Sequence, residues 1–565
     1  MKRIIFSVLC LQCAFVNAQY YAWAKAMTGG FSEGNFITVD ATGNVYTTGN
    51  FNDTVDFDPG VSVANLISNG SDDIFISKLD VNGNYVWAKS IGGGKHDESA
   101  CIAVDESGNV YVTGSFRDTV DFDPGIGLIP LVAHNLDIFI LKLDASGNFV
   151  WAKRIGGNFA DGGEGIKLDR VGNIYSTGYF AGIVDFDPGA GISNLGITNG
   201  QGTFVSKLDS TGNFIWAKYM KPQTIGYSGS YGYAIALDAL GNIYTSGQFG
   251  GTVDFDPGIG IANLTGHGNW DIFVSKLDSA GNYVWAKGMG GVGSEGGAAI
   301  AIDASGNVYT TGYFGDTVDF DPGSNTANIL ASGYEDAFIS KLDASGNYVW
   351  VKSIGATTGL TNGTGIVIDT ANNIYTIGRF DVTADFNPDT GIAYLYSNGP
   401  HQIFISKLDS SGHYIWAKDI GSVGHDEGFS ITIDGAGNLY STGLFNFTVD
   451  FNPGTDTAYL TADTLRSNIF VLKLAPFNIG VSVSSSIDAS ILIKIYPNPT
   501  TGCLAIISEQ TIQTLTIYNL LGEQLLQQNI EAKNAELNIA ALPSGVYLLK
   551  VKGKDWEKTQ RIVKE

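Results

Sequence analysis

The chain has 565 residues with 74 Gly, 14 Pro, 44% hydrophobic and 16% charged residues. That mix suits many short strands joined by tight turns and disfavours helical or disordered architectures. The formal net charge of −24 argues against nucleic acid or an anionic membrane surface as partner, because phosphate contacts need clustered Lys and Arg. The negative excess lies before residue 484, since residues 484–565 hold as many basic as acidic side chains. It suits solubility, cation binding or a basic partner.

Residues 1–18 read as a signal peptide. Lys2 and Arg3 form the basic region, Ile4 to Val16 the apolar stretch, and Val16-Asn17-Ala18 the cleavage site, so the mature chain starts at Gln19. The apolar run is too short to span a bilayer and no later segment reaches the required length, so an integral membrane protein is not expected. Cys13 follows Leu11-Gln12, which suits a lipoprotein signal poorly. Cys10 and Cys13 leave with the leader. Cys101 and Cys503 fall in different domains, and no disulfide framework is implied.

From there the chain repeats itself seven times. Trp-Ala-Lys or a near copy stands at Trp23, Trp87, Trp151, Trp216, Trp285, Trp350 and Trp416. Asn-x-Tyr recurs at Tyr46, Tyr111, Tyr175, Tyr244, Tyr309, Tyr375 and Tyr440. Asp-Phe-Asp/Asn-Pro recurs at Asp56, Asp121, Asp185, Asp254, Asp319, Asp385 and Asp450. Self-similarity at a fixed period is the mark of repeat architectures.

Each unit predicts four strands. In the first, Phe36 to Asp40 alternates as a half-buried strand does, and Ala41 to Asn44 is a hairpin turn. Val45 to Phe51 is the second strand, and a long connection runs to about Asp72. Asp73 to Leu79, a turn at Asp80 to Asn84, and Tyr85 to Ile91 complete the unit. Four antiparallel strands per unit are the pattern of propeller blades. The last unit lacks its Trp-Ala-Lys strand, and a surplus copy stands at residues 20–25. Moving it into the last blade would close the ring and leave no exposed edges. The expectation is therefore an all-β chain with a seven-bladed β-propeller over residues 19–475, closed by the strand at 20–27. Units such as DIFISKLDASGNFVWAK and TVDFDPG resemble the bacterial SBBP-type β-propeller repeats. The resemblance implies a propeller placed outside the cell and no particular activity.

A linker spans residues 476–490. Residues 491–565 then read as about seven short strands, suggesting a small β-sandwich. YPNP at Tyr496–Pro499, IYNLLGE at Ile517–Glu523 and LPSGVYLLKV at Leu542–Val551 resemble the type A C-terminal sorting domain of the type IX secretion system. That resemblance implies the secretion machinery and its sortase as partners, and secretion or outer-surface placement.

Function is expected on the face carrying the long connections, since loops on a rigid scaffold carry sites. In extended backbone, Asp56 and Asp58 point to one side and could grip Ca²⁺, as could Asp121 and Asp123, Asp185 and Asp187, Asp254 and Asp256, and Asp319 and Asp321. Asp72, Asp73, Asp137, Asp271 and Asp336 could add ligands. The competing reading has the second Asp holding the Pro-Gly turn. Asn387 and Asn452 replace it in the last two units. A second constellation is acidic, with Glu33, Glu98, Glu295 and Glu427 near the channel mouth. His96-Asp97 and His425-Asp426 flank two of them. Asp-Thr-Val at Asp53, Asp118 and Asp316 resembles the O-glycosylation sequon of bacteria with this secretion system.

No Ser-His-Asp signature, H-E-x-x-H or phosphate loop is present. The expectation is a non-catalytic scaffold binding a glycan or protein. The alternative is a divergent secreted hydrolase of glycosidase type.

Overall fold

In the computed structural model the described residues are 19–476 and 493–564, apart from 199, 224–228, 455, 463–465, 497, 499, 520–523, 544 and 555. The leader read at residues 1–18 and nearly all of the linker lie outside them. The chain divides between residues 477 and 478 into two compact units. The described residues are all β, with no helix among them, in many small antiparallel sheets. This arrangement is consistent with a propeller-like fold.

In the first repeat, Ser32–Val39, Val45–Phe51, Asp73–Leu79 and Tyr85–Ile91 pair in sequential order. The turns explain the Gly and Asn of the sequence. Asp40 Oδ1 accepts from the backbone N–H of Thr42 and Asn44, both at 2.9 Å, while Gly43 takes φ +86°. Asp80 organises the second hairpin in the same way.

The meander recurs unit by unit to Glu427–Ile433, Leu439–Phe445 and Asn468–Pro476. There the fourth place is taken by Gln19–Gly29, antiparallel to Asn468–Pro476, with Ala24 opposite Leu472 and Met27 opposite Ile469.

Each four-strand unit carries one stripe of Tyr, Lys and Trp. Lys78 Nζ lies 4.8 Å over the Tyr46 ring, and Trp87 meets that ring edge-on at 6.3 Å. Trp87 Nε1 and Lys78 Nζ both donate to the carbonyl of Ala145 in the next unit. The Trp is thus a packing anchor between neighbours.

The long connection contains structure that the alternation pattern did not reveal. Thr54–Asp56 and Asn65–Ile67 form a short ribbon, whose first strand also pairs with the end of Gln19–Gly29. Equivalent ribbons latch onto the preceding unit at Gly290↔Asp319 and Gly355↔Asp385. First and last units share one core, in which Ile37, Val45 and Phe75 pack with Tyr440, Ile469 and Val471.

The C-terminal body differs from the expectation of about seven strands. Cys503–Tyr518 is one long strand, paired with the long strand Gln524–Asn538. Ile493–Tyr496, Gly545–Lys552 and Glu557–Lys564 complete one hydrogen-bonded sheet of five strands. Irregular register between Ile507 and Thr514 bends the long strand. The YPNP landmark is anchored by Asn498, whose side chain donates to the Arg561 carbonyl and accepts from Val563 N–H. Tyr547 of the third landmark donates to the carbonyl of Pro543 at 2.6 Å.

Candidate functional site

The Asp-Phe-Asp-Pro carboxylates serve the backbone. Asp56 Oδ1 accepts from the N–H of Asp58 at 3.0 Å and of Ala64 at 2.8 Å, and Asp58 Oδ1 accepts from Gly60 at 2.8 Å. Asp121 with Asp123, Asp185 with Asp187, Asp254 with Asp256 and Asp319 with Asp321 repeat this pattern. Asn452 caps Gly454 through the same amide-compatible geometry. Asp73, Asp137, Asp271 and Asp336 do not join these pairs. Asp73 stands opposite Phe51, at the root of the hairpin, whereas Asp56 pairs with Asn65 farther along the connection. Arg154 reaches Asp137, which is fully buried.

Asp53, Asp118 and Asp316 adopt φ of +65°, +55° and +56°, in a position filled by Gly182 and Gly251 elsewhere. Asp tolerates this left-handed region better than most residues, so the Asp-Thr-Val triplets have a backbone reason. Thr54, Thr119 and Thr317 after them are exposed.

The first strands line a cavity of about 460 Å³. Each carries a bulge, and the bulged residues Asn35, Ala100, Glu164, Tyr233, Ala298, Thr364 and Phe429 all face that cavity. A bulge re-aims a side chain, and here it breaks the symmetry of the repeat.

Register corrects the acidic set. Glu33, Glu98 and Glu427 pair with Asn50, Ser115 and Leu444 at one shared position. Glu295 stands one residue earlier, in the place of Asp97, Asp161 and Asp426, and all four are buried with 0% exposure. Those buried acids brace the link to the preceding unit: Asp97 accepts from Gly93 and Arg117, and Asp426 from Ser422 and Asn446. Glu164, missed by sequence reading because it sits in the bulge, joins the acidic group instead.

Glu427, Glu33, Glu98 and Glu164 form an arc across consecutive units. Burial, together with Glu98, Asp72 and Glu427, pushes Glu33 up to about 7. Burial and Glu98 push Glu164 up to about 7. At Glu164 the arc meets aromatic rings. Burial and the Glu164 charge raise Tyr179 to about 12. The Tyr179 and Tyr231 rings lie 5.1 Å apart, Tyr231 and Tyr233 stack at 6.3 Å, and Trp270 meets Tyr231 at 5.4 Å.

The junctions between units share one backbone bond. The residue after each link donates its N–H to the carbonyl that precedes the paired part of the third strand at Asp72 and His401, and to the matching carbonyl of Leu136, as in Asp97 to Asp72, Asp426 to His401 and Asp161 to Leu136. The side chains around that bond vary. Asp72, His96 and Glu98 meet at one junction, with His96 Nδ1 2.9 Å from Asp72. Leu136 and Ala160 form the same bridge at the next. At the last, His401 and His425 face each other across it with ring centroids 4.3 Å apart. His401 Nδ1 reaches Glu427 Oε1 at 2.8 Å, His425 Nε2 contacts the same oxygen, and Arg379 Nη1 donates to it at 2.7 Å. Burial alone would raise Glu427, but the bonds from His401, Arg379 and His425 outweigh it and hold the carboxyl near 2. Among the described residues, these three ligand atoms are the group of His, Cys, Asp and Glu that converges within 4.8 Å.

Residues 494–565 match the model of the secretion system C-terminal sorting domain, and residues 86–115 match that of the SBBP β-propeller repeat. An uncharacterized WD repeat-containing protein of Acanthamoeba polyphaga mimivirus is 26% identical over 505 residues, covering 75% of this chain. The chain spans 36% of the length of that relative. Solved structures with some likeness include a protein of unknown function from Bacteroides caccae, at 9% identity over 58% of this chain and 93% of that one, TM-score 0.27. The plexin A4 extracellular region matches at 7% over 95% and 62%, TM-score 0.35. PorZ, a surface component of the type IX secretion system of Porphyromonas gingivalis, matches at 13% over 96% and 100%, TM-score 0.15. The chain therefore carries a match to the SBBP β-propeller repeat at residues 86–115 and a type IX C-terminal sorting domain at residues 494–565, which indicates secretion and surface localisation.

Proposed function

We propose that the repeats close into a seven-bladed propeller that serves as a non-catalytic binding scaffold, displayed on the cell surface or released. Its ligand is a glycan or protein segment carrying a cationic group. The shared core of the first and last units and the pairing of Gln19–Gly29 with Asn468–Pro476 support closure. One observation carries the binding reading: the carboxylate arc from Glu427 to Glu164 runs into the Tyr179, Tyr231 and Tyr233 cluster. Clustered carboxylates are costly when ionised side by side, and a bound cation relieves that cost. Aromatic faces beside them attract the same charge. The rigid scaffold and polar, aromatic-lined recess suit recognition.

The test is binding of the purified propeller to amine-bearing glycans and basic peptides, with their N-acetylated forms as controls. Affinity should fall on acetylation and in Glu164→Gln and Tyr231→Ala. Equal affinity for acetylated and free amines would overturn the reading. A glycosidase panel on the same sample tests the hydrolase alternative.

A further inference from the structure

We propose that His401, His425 and Glu427 form a binding site for one divalent transition-metal ion, with Zn²⁺ as the expected occupant, at the junction of the sixth and last units. Two imidazoles and a carboxylate are a ligand set that Zn²⁺ takes with a fourth position left open. The donors come from two stretches of chain: His401 at the end of a long connection, and His425 and Glu427, two residues apart, where an inter-unit link enters a first strand. The parallel bridge between His401 and His425 sets the two backbones side by side.

All three ligand atoms lie within 4.8 Å of one another, and His401 Nδ1 is already 2.8 Å from Glu427 Oε1. In a tetrahedral zinc site, donors bound at about 2.0–2.1 Å stand about 3.3 Å apart. Small side-chain rotations therefore suffice. The His425 side chain is 48% exposed and Glu427 only 7%, so an ion can enter from the His425 side and still rest on a buried carboxylate.

The repeat supplies its own control. The backbone bond at this junction also forms where Leu136 and Ala160 occupy the two histidine places, and where Gln201 precedes the third strand. The fold thus does not require imidazoles here, and their convergence on one carboxylate oxygen needs another reason. Arg379 orients that carboxylate as a supporting neighbour. Its positive charge opposes the ion, so a dissociation constant on the order of micromolar is expected.

The experiment uses untagged full-length protein stripped with chelator, titrated with Zn²⁺ by calorimetry and with Co²⁺ by visible absorption. One saturable ion per chain and a tetrahedral Co²⁺ band are expected. His401→Gln and His425→Ala, both residues the chain already uses at these positions, should lose the band and the stoichiometric heat while keeping the thermal transition. His96→Ala, at the equivalent first junction, should keep both signals. Absence of saturable binding in the parent protein, or its persistence in the His401→Gln/His425→Ala pair, would overturn the site.

Discussion

The indole of Trp23 packs edge-on against the Tyr440 ring, with centroids 6.4 Å apart, and Lys473 Nζ lies 5.0 Å over the same ring. This is the Tyr-Lys-Trp stripe of every other unit, assembled from opposite ends of the array. Trp23 also donates to the carbonyl of Val81 in the first unit, as Trp87 does to Ala145 in the second. One strand therefore holds last and first units together.

Removing residues 20–27 should strongly lower the melting temperature, because it exposes the edge of Asn468–Pro476 and uncovers the core around Met27, which is fully buried. Trp23→Ala alone should cost about 2–3 kcal/mol, below the range of a fully buried Trp since Trp23 is half-buried. Chemical denaturation of both variants measures this. An unchanged midpoint on deletion would argue against closure.

Val382 sits at φ +49° where Gly182 and Gly251 stand in other units. A β-branched residue is strained there. Val382→Gly should stabilise the chain by about 1 kcal/mol, read as a rise in melting temperature.

Glu164 gives a pH signature. Its folded pKa, about 7, lies above the ordinary value of 4.5. The native state therefore holds a proton that the unfolded chain has released between these values. Stability from this group is complete below about pH 4.5 and is lost as pH rises through about 7. Glu164→Gln should leave stability unchanged at pH 4 and raise it at pH 8 by on the order of 1–3 kcal/mol. Thermal melts across this range measure the difference.

In the Asp-Phe-Asp-Pro turns, Asp58→Asn should change stability by less than about 0.5 kcal/mol, because Asn452 already caps its turn in the same way. Asp56→Ala should cost about 1–3 kcal/mol by orphaning two backbone donors. Calorimetry with and without Ca²⁺ on the parent and on Asp58→Asn tests the calcium reading: equal behaviour assigns these carboxylates to the turn alone.

Deleting residues 493–565 should abolish delivery to the cell surface and retain the propeller in the periplasm, measured by surface proteolysis and fractionation. The sorting-domain match at 494–565 predicts this.

Most of the fold was legible because its signals are local. Hairpins at Asp40 and Asp80 follow from Asx chemistry and left-handed glycines within five residues of chain. The ribbon at Thr54–Asp56 was hidden, because three residues are too short for an alternation pattern and its pairing partner lies in the preceding unit. Glu164 was hidden for a related reason: a bulge adds one residue to a strand without marking the sequence, and turns a side chain toward the cavity. Glu295 was misplaced by one position for the same reason of register.

The sequence by itself determined the repeat, the four-strand unit, the displaced N-terminal strand and the C-terminal sorting domain, since each rests on periodicity, turn chemistry or a contiguous motif. Tertiary structure decided which acids face the cavity, which brace the links, and that His401 meets His425 and Glu427. Those groupings join residues from different strands and units, and only the register of the sheets and the packing of neighbouring units set the distances between them.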